Sequence, residues 1–467
     1  MDDTESGSRP ASSTTGSRRP ARLSPHAVRQ ARRARRTWFA VVFFPVFAVY
    51  LVLDALRDAR DLLERARSRE LQARGPFTRP ADMPAPEDRT VGDIVRTIEG
   101  YPLRSSAGSA QLSFFRDNGP DALSALLSAN PQMSALPHAY PTSFRHRLFT
   151  GSNGAQIAGM QSMHAHAGPA VIICHGLLMN KHFDLIIQLA RRAFETWGFH
   201  VVTLDLRGWG HTAWTHDGKS SAGFHEGRDI IEVARELHRD PRITSVAGVG
   251  YSLGGASMLN AAVVASAADD ATLDGGVVCV SAPTDIEAAL DHISTRPAWR
   301  DPLFGLWYLF RAVIKGNVRR LGLRRDLTTW RDLVKSVSAP AEGLSYEEFC
   351  TRASATTFAQ DISVPLLALH AADDFVVPVR HAYRLRDAAA GNPWVHVLVR
   401  DTGSHCSFVA ADASWFHSTL RRWLEYWATP GDGGVDEEAS GTTTSARHRS
   451  STATQPLVRA RSQPLRH

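Results

Sequence analysis

A serine between glycines carries the clearest chemistry in this sequence. Residues 250–255 read GYSLGG, which places Ser252 in a G-x-S-x-G pattern. The pattern follows the apolar run TSVAGVG and opens the run LGGASMLNAAVVA, and a nucleophilic serine requires this setting of strand, turn and helix. The flanking glycines carry no Cβ atoms that would collide with the neighbouring strand and helix. Because a helix N-terminus favours developing negative charge, we expect Ser252 to be an acyl-accepting nucleophile.

A serine hydroxyl needs a base, and that base needs an acid to orient it. Active-site residues of α/β sheets lie in loops at the carboxyl ends of the strands, so both partners are expected after strand-like runs. His405 lies in RDTGSHCSF after an apolar run, and Asp373 and Asp374 lie side by side in HAADDFVVP after an earlier one. The sequence therefore predicts His405 as the base and one of these two aspartates as the acid.

The same chemistry requires N–H donors for the developing oxyanion. One donor is expected from Leu253, directly after the nucleophile. The other is expected from the loop after the run Ala170–Cys174, which reads HGLLM, and there we predict the amide of Leu177. His175 in this loop is expected to be structural rather than a second base. No phosphate loop, dinucleotide fingerprint or metal motif appears in the sequence, so neither a cofactor nor a metal is expected.

These residues need a scaffold that brings distant loops together. Short β-rich runs are found at Ala170–Cys174, His200–Leu204, Ser245–Tyr251, Gly276–Ser281, Leu366–His370 and Val395–Arg400. Helix-length segments lie between them, at Phe183–Trp197, Phe224–His238, Leu253–Ser266, Val379–Ala390 and Ala411–Trp427. This alternation predicts a doubly wound α/β domain at 142–428, with a mostly parallel sheet buried on both faces. A helical, aromatic and basic insertion at about 285–362 is expected to form a cap over the strand ends.

An apolar run precedes this domain. Residues 38–53 read WFAVVFFPVFAVYLVL without a charge, slightly short of the about 20 residues that a spanning helix needs. Arg36 and Arg57 extend its reach by snorkelling. A cleaved signal peptide and a buried core helix are the alternatives. The sequence predicts a single-pass membrane anchor through residues 37–53, within a transmembrane and charged helical segment at 37–75. Because arginines flank both ends of the run, the sequence does not indicate on which side of the membrane the catalytic domain lies.

The remaining segments are polar. A basic tail at 1–36 and a second tail at 429–467 are predicted to be disordered, because they contain too few apolar residues to offset the entropy of ordering. Residues 76–141 are interpreted as a linker and N-terminal extension. The net charge of +6 comes from these basic ends. A nucleic-acid partner would need a basic groove with interleaved aromatics, and we therefore expect none.

Together the motifs HGLL, DLRGWGHT, GYSLGG, DDFVVP and GSH, in this order, resemble the α/β-hydrolase superfamily over residues 142–428. Within it the chain is similar to the YheT-like group, which includes membrane-anchored lipid esterases. The apolar N-terminal segment and the stretch YEEFCTRASATTFAQDISVPLLALHAADDFVVP carry that likeness. The chain departs from the group at Phe375, where proline is usual, and at Cys406 after the histidine.

The resemblance implies several site assignments and a reaction. Acid loops of such enzymes end in Asp-x-x-x-Pro, which favours Asp374 over Asp373 because Pro378 follows four residues on. Asp205 falls in a turn whose charged pair is expected to brace a loop. The implied reaction is hydrolysis of a carboxylic ester, and the anchor and cap favour a lipophilic small-molecule or lipid substrate.

Two further functions stay open at this point. An acyltransferase or thioesterase would use the same triad, because the sequence does not show whether water or an alcohol reaches the acyl-enzyme. A catalytically silent hydrolase fold tethered to a membrane is the third hypothesis. The sequence does not indicate the oligomeric state.

Overall fold

The computed structural model describes residues 94–96, 99, 140–177, 179–215, 220–268, 271–295 and 329–428, and every structural statement below concerns these residues. The predicted anchor segment at 37–75 lies outside them, as do both predicted tails, most of the linker at 76–141 and residues 296–328 of the predicted cap. No helix within the described ranges is long and apolar enough to span a bilayer.

One sheet of 8 strands is formed by the described residues. In chain order the strands are β1 (Arg145–Thr150), β2 (Gln156–Ser162), β3 (Gly168–Cys174), β4 (His200–Leu204), β5 (Ile243–Tyr251), β6 (Val277–Val280), β7 (Leu366–Ala371) and β8 (Val395–Arg400). Their order across the sheet is β1-β2-β4-β3-β5-β6-β7-β8. The β1–β2 and β2–β4 pairs are antiparallel, and every other neighbouring pair is parallel. The predicted α/β architecture with a mostly parallel sheet is therefore confirmed.

Helices connect the strands and cover the sheet. They are α1 (Asp184–Glu195), α2 (Thr212–Thr215), α3 (Phe224–His238), α4 (Leu253–Ala267), α5 (Ile286–Thr295), α6 (Trp330–Leu333), α7 (Ala339–Ala341), α8 (Tyr346–Ala353), α9 (Arg380–Ala388) and α10 (Phe408–Ala428). A π-helical turn at Val334–Ser338 joins α6 to α7, and 3-10 turns occupy Ser152–Gly154, Ala271–Leu273 and Ala355–Asp361.

Both faces of the sheet are buried. Val171 and Ile173 of β3 belong to a cluster that includes side chains of α1 and α10, such as Leu189 and Trp415. Ile172, between them in sequence, belongs to a second cluster with side chains of α3, α4 and α9. Successive side chains of a strand point to opposite faces. A strand covered on both sides must therefore be apolar throughout, which is why the central strands read as continuous apolar runs.

The predicted elements agree closely with the observed ones in this core. Strands β4 and β8 and helix α3 begin and end at the predicted residues, and the other parallel strands differ from the predictions by one or two residues at either end. The antiparallel strands β1 and β2 were not predicted. The described parts of the predicted cap, 285–295 and 329–362, are helices, turns and loops without a strand, and they lie in sequence between β6 and β7.

Candidate active site

Ser252 lies in the sharp turn between β5 and α4. Its backbone has φ 52 and ψ −114, a conformation that is rare for a residue with a side chain and costs on the order of 1–3 kcal/mol. Two backbone hydrogen bonds hold it: the N–H of Ser252 donates to the carbonyl of Val280 at 2.8 Å, and its carbonyl accepts from the N–H of Ala256 at 2.9 Å. Ser252 is 8 % exposed. The strained turn presents the hydroxyl at the carboxyl end of the central strand.

Glycines make this turn sterically possible. A Cβ atom on Gly250 would lie 2.1 Å from the carbonyl oxygen of Gly254. A Cβ atom on Gly254 would lie 2.6 Å from the carbonyl oxygens of both Cys174 and His175. Both distances are far below van der Waals contact, so the helix can pack this closely on β3 and β5 only without side chains at these two positions.

Asp374 is the aspartate that contacts the predicted base. The Nδ1 atom of His405 lies 3.0 Å from Oδ2 and 3.1 Å from Oδ1 of Asp374, and both residues are buried. Oδ1 also accepts the N–H groups of Val376 and Val377, each at 2.9 Å. The carboxylate is therefore fixed by the backbone of its own loop and faces the imidazole.

The electrostatics of this pair follow from burial and mutual attraction. Burial alone would raise the pKa of Asp374, but the neighbouring His405 outweighs it and lowers that pKa below its ordinary value. Burial alone would lower the pKa of His405, and the charge of Asp374 instead raises it well above the ordinary histidine value. Each partner thus stabilises the charged form of the other, as a base that must carry a proton during turnover requires.

Asp373 has a different environment. Its Oδ1 accepts the N–H of Ser404 at 2.7 Å, which ties the acid loop to the loop that carries His405. Burial raises the pKa of Asp373 to about 6. Asp374 therefore lies against the imidazole and Asp373 against the backbone beside it, and the role of Asp374 as the catalytic acid stays a prediction.

The loops of Ser252 and His405 meet at the end of β6. The Val280 carbonyl that accepts the N–H of Ser252 is also 3.7 Å from the Sγ atom of Cys406, which donates to it. The N–H of Cys406 donates to Ser281 Oγ at 3.2 Å. The histidine loop is itself strained, since Ser404 and Cys406 have φ 49 and φ 58. These bonds bring the loops of the nucleophile and the base together.

The loop after β3 approaches the nucleophile closely. A Cβ atom on Gly176 would lie 3.2 Å from the Cβ of Ser252, and Leu177 follows directly. Leu253 is the first residue of α4, and the first N–H groups of a helix have no acceptor within it. The backbone thus brings the two loops that carry the predicted oxyanion donors together, and the donor roles of Leu177 and Leu253 stay predictions.

His175 and Asp205 brace this region. The imidazole of His175 is fully buried, with Nδ1 2.8 Å from the carbonyl of Gly176 and Nε2 accepting the N–H of Leu206 at 3.1 Å. The buried carboxylate of Asp205 pairs with the ammonium group of Lys181 and accepts the Lys181 N–H at 2.8 Å. Neither residue contacts the triad through these bonds. The structural interpretation of both residues agrees with their contacts.

Sequence reasoning missed two supporting side chains. One is Ser281, whose hydroxyl accepts the N–H of Cys406. The other is His370, a buried imidazole 3.6 Å from Asp374 Oδ2. The only available signal for His370 was an ionisable residue near the end of the otherwise apolar strand LLALHA. Within the described ranges, no group of three or more His, Cys, Asp or Glu side chains is arranged to hold a metal ion.

Comparison with known proteins identifies a family for the domain that carries this site. A family model described as serine aminopeptidase, S33, matches residues 165–409, a span that contains Ser252, Asp374 and His405. Among solved structures, the chain is similar to an esterase from Pyrococcus furiosus, at 13% identity and a TM-score of 0.45 over 63% of this chain and 100% of that one. It is also similar to a puromycin-hydrolyzing peptidase from Mycobacterium tuberculosis, at 19% identity and a TM-score of 0.43 over 63% of this chain and 41% of that one.

Proposed function

The chain belongs to the serine aminopeptidase S33 family of α/β-hydrolases, and we propose that it cleaves the carboxylic ester of a lipophilic acyl substrate through an acyl-enzyme on Ser252. Within this family it is an esterase-like hydrolase. The observation that carries the proposal is the buried His405–Asp374 pair, 3.0 Å apart, with His405 on a loop that meets the strained turn of Ser252.

The proposed reaction uses these groups in order. The Ser252 hydroxyl attacks the acyl carbonyl and passes its proton to His405, while Asp374 stabilises the imidazolium that forms. The amides of Leu177 and Leu253 donate hydrogen bonds to the oxyanion. His405 then protonates the leaving alcohol, and the acyl-enzyme remains. A water molecule that His405 deprotonates attacks the acyl-enzyme, and His405 returns this proton to the oxygen of Ser252 as the acid is released.

Active-site labelling tests the nucleophile. We expect a fluorophosphonate probe to label the full chain and to leave Ser252→Ala unlabelled. Ser257→Ala is the matched control, because Ser257 is a buried serine one helical turn further along α4, and its hydroxyl bonds only to the carbonyl of Leu253 in the described structure. Labelling that persists in Ser252→Ala would contradict the assignment of the nucleophile.

Substrate class is tested with p-nitrophenyl esters of increasing acyl length. We expect Ser252→Ala to lose hydrolysis at every length, and a preference for long chains would support a lipophilic substrate. The family description favours a second candidate, cleavage of an aminoacyl amide. Faster turnover of aminoacyl p-nitroanilides than of all esters would favour that peptidase activity. Formation of a new ester with an added alcohol would favour acyl transfer.

A further inference from the structure

A second histidine contacts the loop of the proposed catalytic acid. His370 is the penultimate residue of β7 and is 3 % exposed. Its Nε2 atom lies 2.8 Å from the carbonyl oxygen of Val377 and 3.6 Å from Oδ2 of Asp374. Because a carbonyl oxygen can only accept, Nε2 carries the hydrogen of this bond. The imidazole of His370 is therefore a donor to the acid loop.

This bond completes a closed set of contacts around Asp374. The N–H of Val377 donates to Asp374 Oδ1 at 2.9 Å, while the carbonyl of the same residue accepts from His370. Val377 thus forms hydrogen bonds with both Asp374 and His370, and it links the carboxylate to the end of β7. Oδ2 lies between two imidazoles, with His405 at 3.0 Å and His370 at 3.6 Å.

The charge state of His370 determines whether it would pair with Asp374 as a second cation. Burial lowers its pKa below the ordinary histidine value, although Asp374 opposes this change, and His405 lowers the pKa further. The adjacent His381 is fully buried, and burial lowers its pKa to about 3. The charged groups around His381 are Asp285, Arg380 and Arg384. Both extra imidazoles are therefore neutral at pH 7, so that His405 is the imidazole whose protonated form Asp374 stabilises during turnover.

We propose that His370 is a positioning residue of the triad, whose neutral imidazole holds the loop at 374–377 through Val377 and thereby keeps Asp374 on His405. This inference rests on the proposed function. A positioning role predicts a lower pKa of His405 when His370 is replaced, because a carboxylate of Asp374 that is no longer held in place would stabilise the imidazolium less. A contribution to packing alone would lower stability without this effect.

Three variants of the full chain test the inference. His370→Leu removes the donor, and His370→Gln keeps an N–H group in its place. His381→Leu is the matched control, because it deletes an adjacent buried imidazole whose ring nitrogens have no hydrogen-bond partner within the described structure. The pH profile of kcat/KM and the separate values of kcat and KM are measured with a p-nitrophenyl ester. Rates are normalised to the fluorophosphonate-titrated sites, so that a misfolded fraction does not contribute.

We expect His370→Leu to lower kcat by about tenfold to a hundredfold, which a small misplacement of a catalytic group can cause, with KM changed by less than about twofold. The acid limb of the profile should move to lower pH, because His405 loses part of its stabilising charge. His370→Gln should restore most of kcat and the position of the limb, and His381→Leu should leave the limb unmoved. An unmoved limb in His370→Leu, or an equal shift in His381→Leu, would overturn the inference.

The downfield proton resonance of the His405–Asp374 bond separates the inference from the proposed function, since it needs no substrate. It should weaken or shift in His370→Leu and persist in His370→Gln. If the wild-type protein hydrolyses none of the esters, but the resonance weakens or shifts in His370→Leu and persists in His370→Gln, the substrate proposal fails while the role of His370 stands. If the esters are hydrolysed and the resonance is unchanged in His370→Leu, the role of His370 fails while the function stands.

Discussion

At the scale of single residues, two neighbouring aspartates show how strongly position decides chemistry. Asp374 faces an imidazole and two backbone N–H groups, and its pKa is lowered by His405 against the effect of burial. Asp373 accepts the N–H of Ser404, and its other carboxylate oxygen is buried without a partner in the described structure. One carboxylate is therefore stabilised in its charged form, whereas burial destabilises the charge of the other.

The first prediction compares the two residues directly. Asp374→Asn should lower kcat by about 10³–10⁴-fold, because an amide cannot stabilise the imidazolium and favours the wrong tautomer of His405. Asp373→Asn should keep kcat within a few-fold, since the amide oxygen can still accept the N–H of Ser404. Steady-state kinetics of both variants on one ester check this expectation. An equal loss in both would mean that Asp373 also takes part in the reaction.

The second prediction concerns the pH dependence of stability. The pKa of Asp373 is about 6 in the folded chain, above the value of about 3.9 for an unfolded chain. Its contribution to stability is therefore fully present below about pH 4 and is lost as the pH rises through about 6. Asp373→Asn removes this loss, so we expect it to raise the free energy of unfolding on the order of 1 kcal/mol at pH 7, allowing for solvent screening, and to raise it little at pH 4.

Urea unfolding of wild type and Asp373→Asn at the two pH values measures the difference. A gain of the same size at pH 4 and pH 7 would show that the effect does not come from ionisation of Asp373.

At the scale of elements, the turn between β5 and α4 depends both on its local glycines and on the close packing of the helix against the strands. The strand ends at Tyr251 and the helix begins at Leu253, so a single residue makes the turn. The turn is possible because Gly250 and Gly254 let the helix approach the strands within distances that exclude a Cβ atom.

The third prediction follows from this close approach. A methyl group at Gly250 would lie 2.1 Å from the backbone oxygen of Gly254, and the backbone would have to move. We expect Gly250→Ala to lower the free energy of unfolding by at least about 2 kcal/mol and to abolish fluorophosphonate labelling. Gly168→Ala, at the start of β3, is the control, because its nearest contacts would be at 3.7 Å. Normal labelling in Gly250→Ala would show that the turn tolerates displacement.

The central elements could be predicted because their signals are local. Strand β4 is a short, β-rich and fully buried run whose ends match the prediction, and the motif around Ser252 carries its own steric requirements. Strand β1 was missed because Arg145–Thr150 reads RHRLFT, with three polar residues in a row, only two apolar residues, and mostly exposed side chains, so it shows neither an apolar run nor an alternating pattern. Its place in the sheet depends on pairing with β2, which no local pattern shows.

The candidate site follows the same division. Ser252 and His405, and Asp374 through Pro378, are predicted from short motifs. The supporting roles of His370 and Ser281 arise only when β6, β7 and the histidine loop are packed together. A histidine in an apolar strand has no distinctive spacing to identify it, so its contact with the acid loop could not be read from the sequence.

At the scale of the whole molecule, the proposed lipophilic substrate requires a way for the hydrolase domain to reach it. The uncharged run at 38–53 lies outside the described residues, and we propose from its sequence that residues 37–53 anchor the chain in a membrane. A bilayer-held enzyme meets lipid esters at a high local concentration, whereas a soluble ester reaches the site equally well with or without an anchor. The anchor should therefore change access to the substrate and leave the chemistry unchanged.

The fourth prediction compares the full chain with a variant lacking residues 37–53. The full chain should stay in the membrane fraction after carbonate extraction, and the variant should be released. Both should hydrolyse a short, soluble p-nitrophenyl ester with kcat/KM values within about twofold, because the triad is untouched. Only the full chain should hydrolyse an ester embedded in vesicles efficiently. Release of the full chain by carbonate would exclude a spanning anchor, and equal activity of both proteins on vesicles would show that substrate delivery does not depend on it.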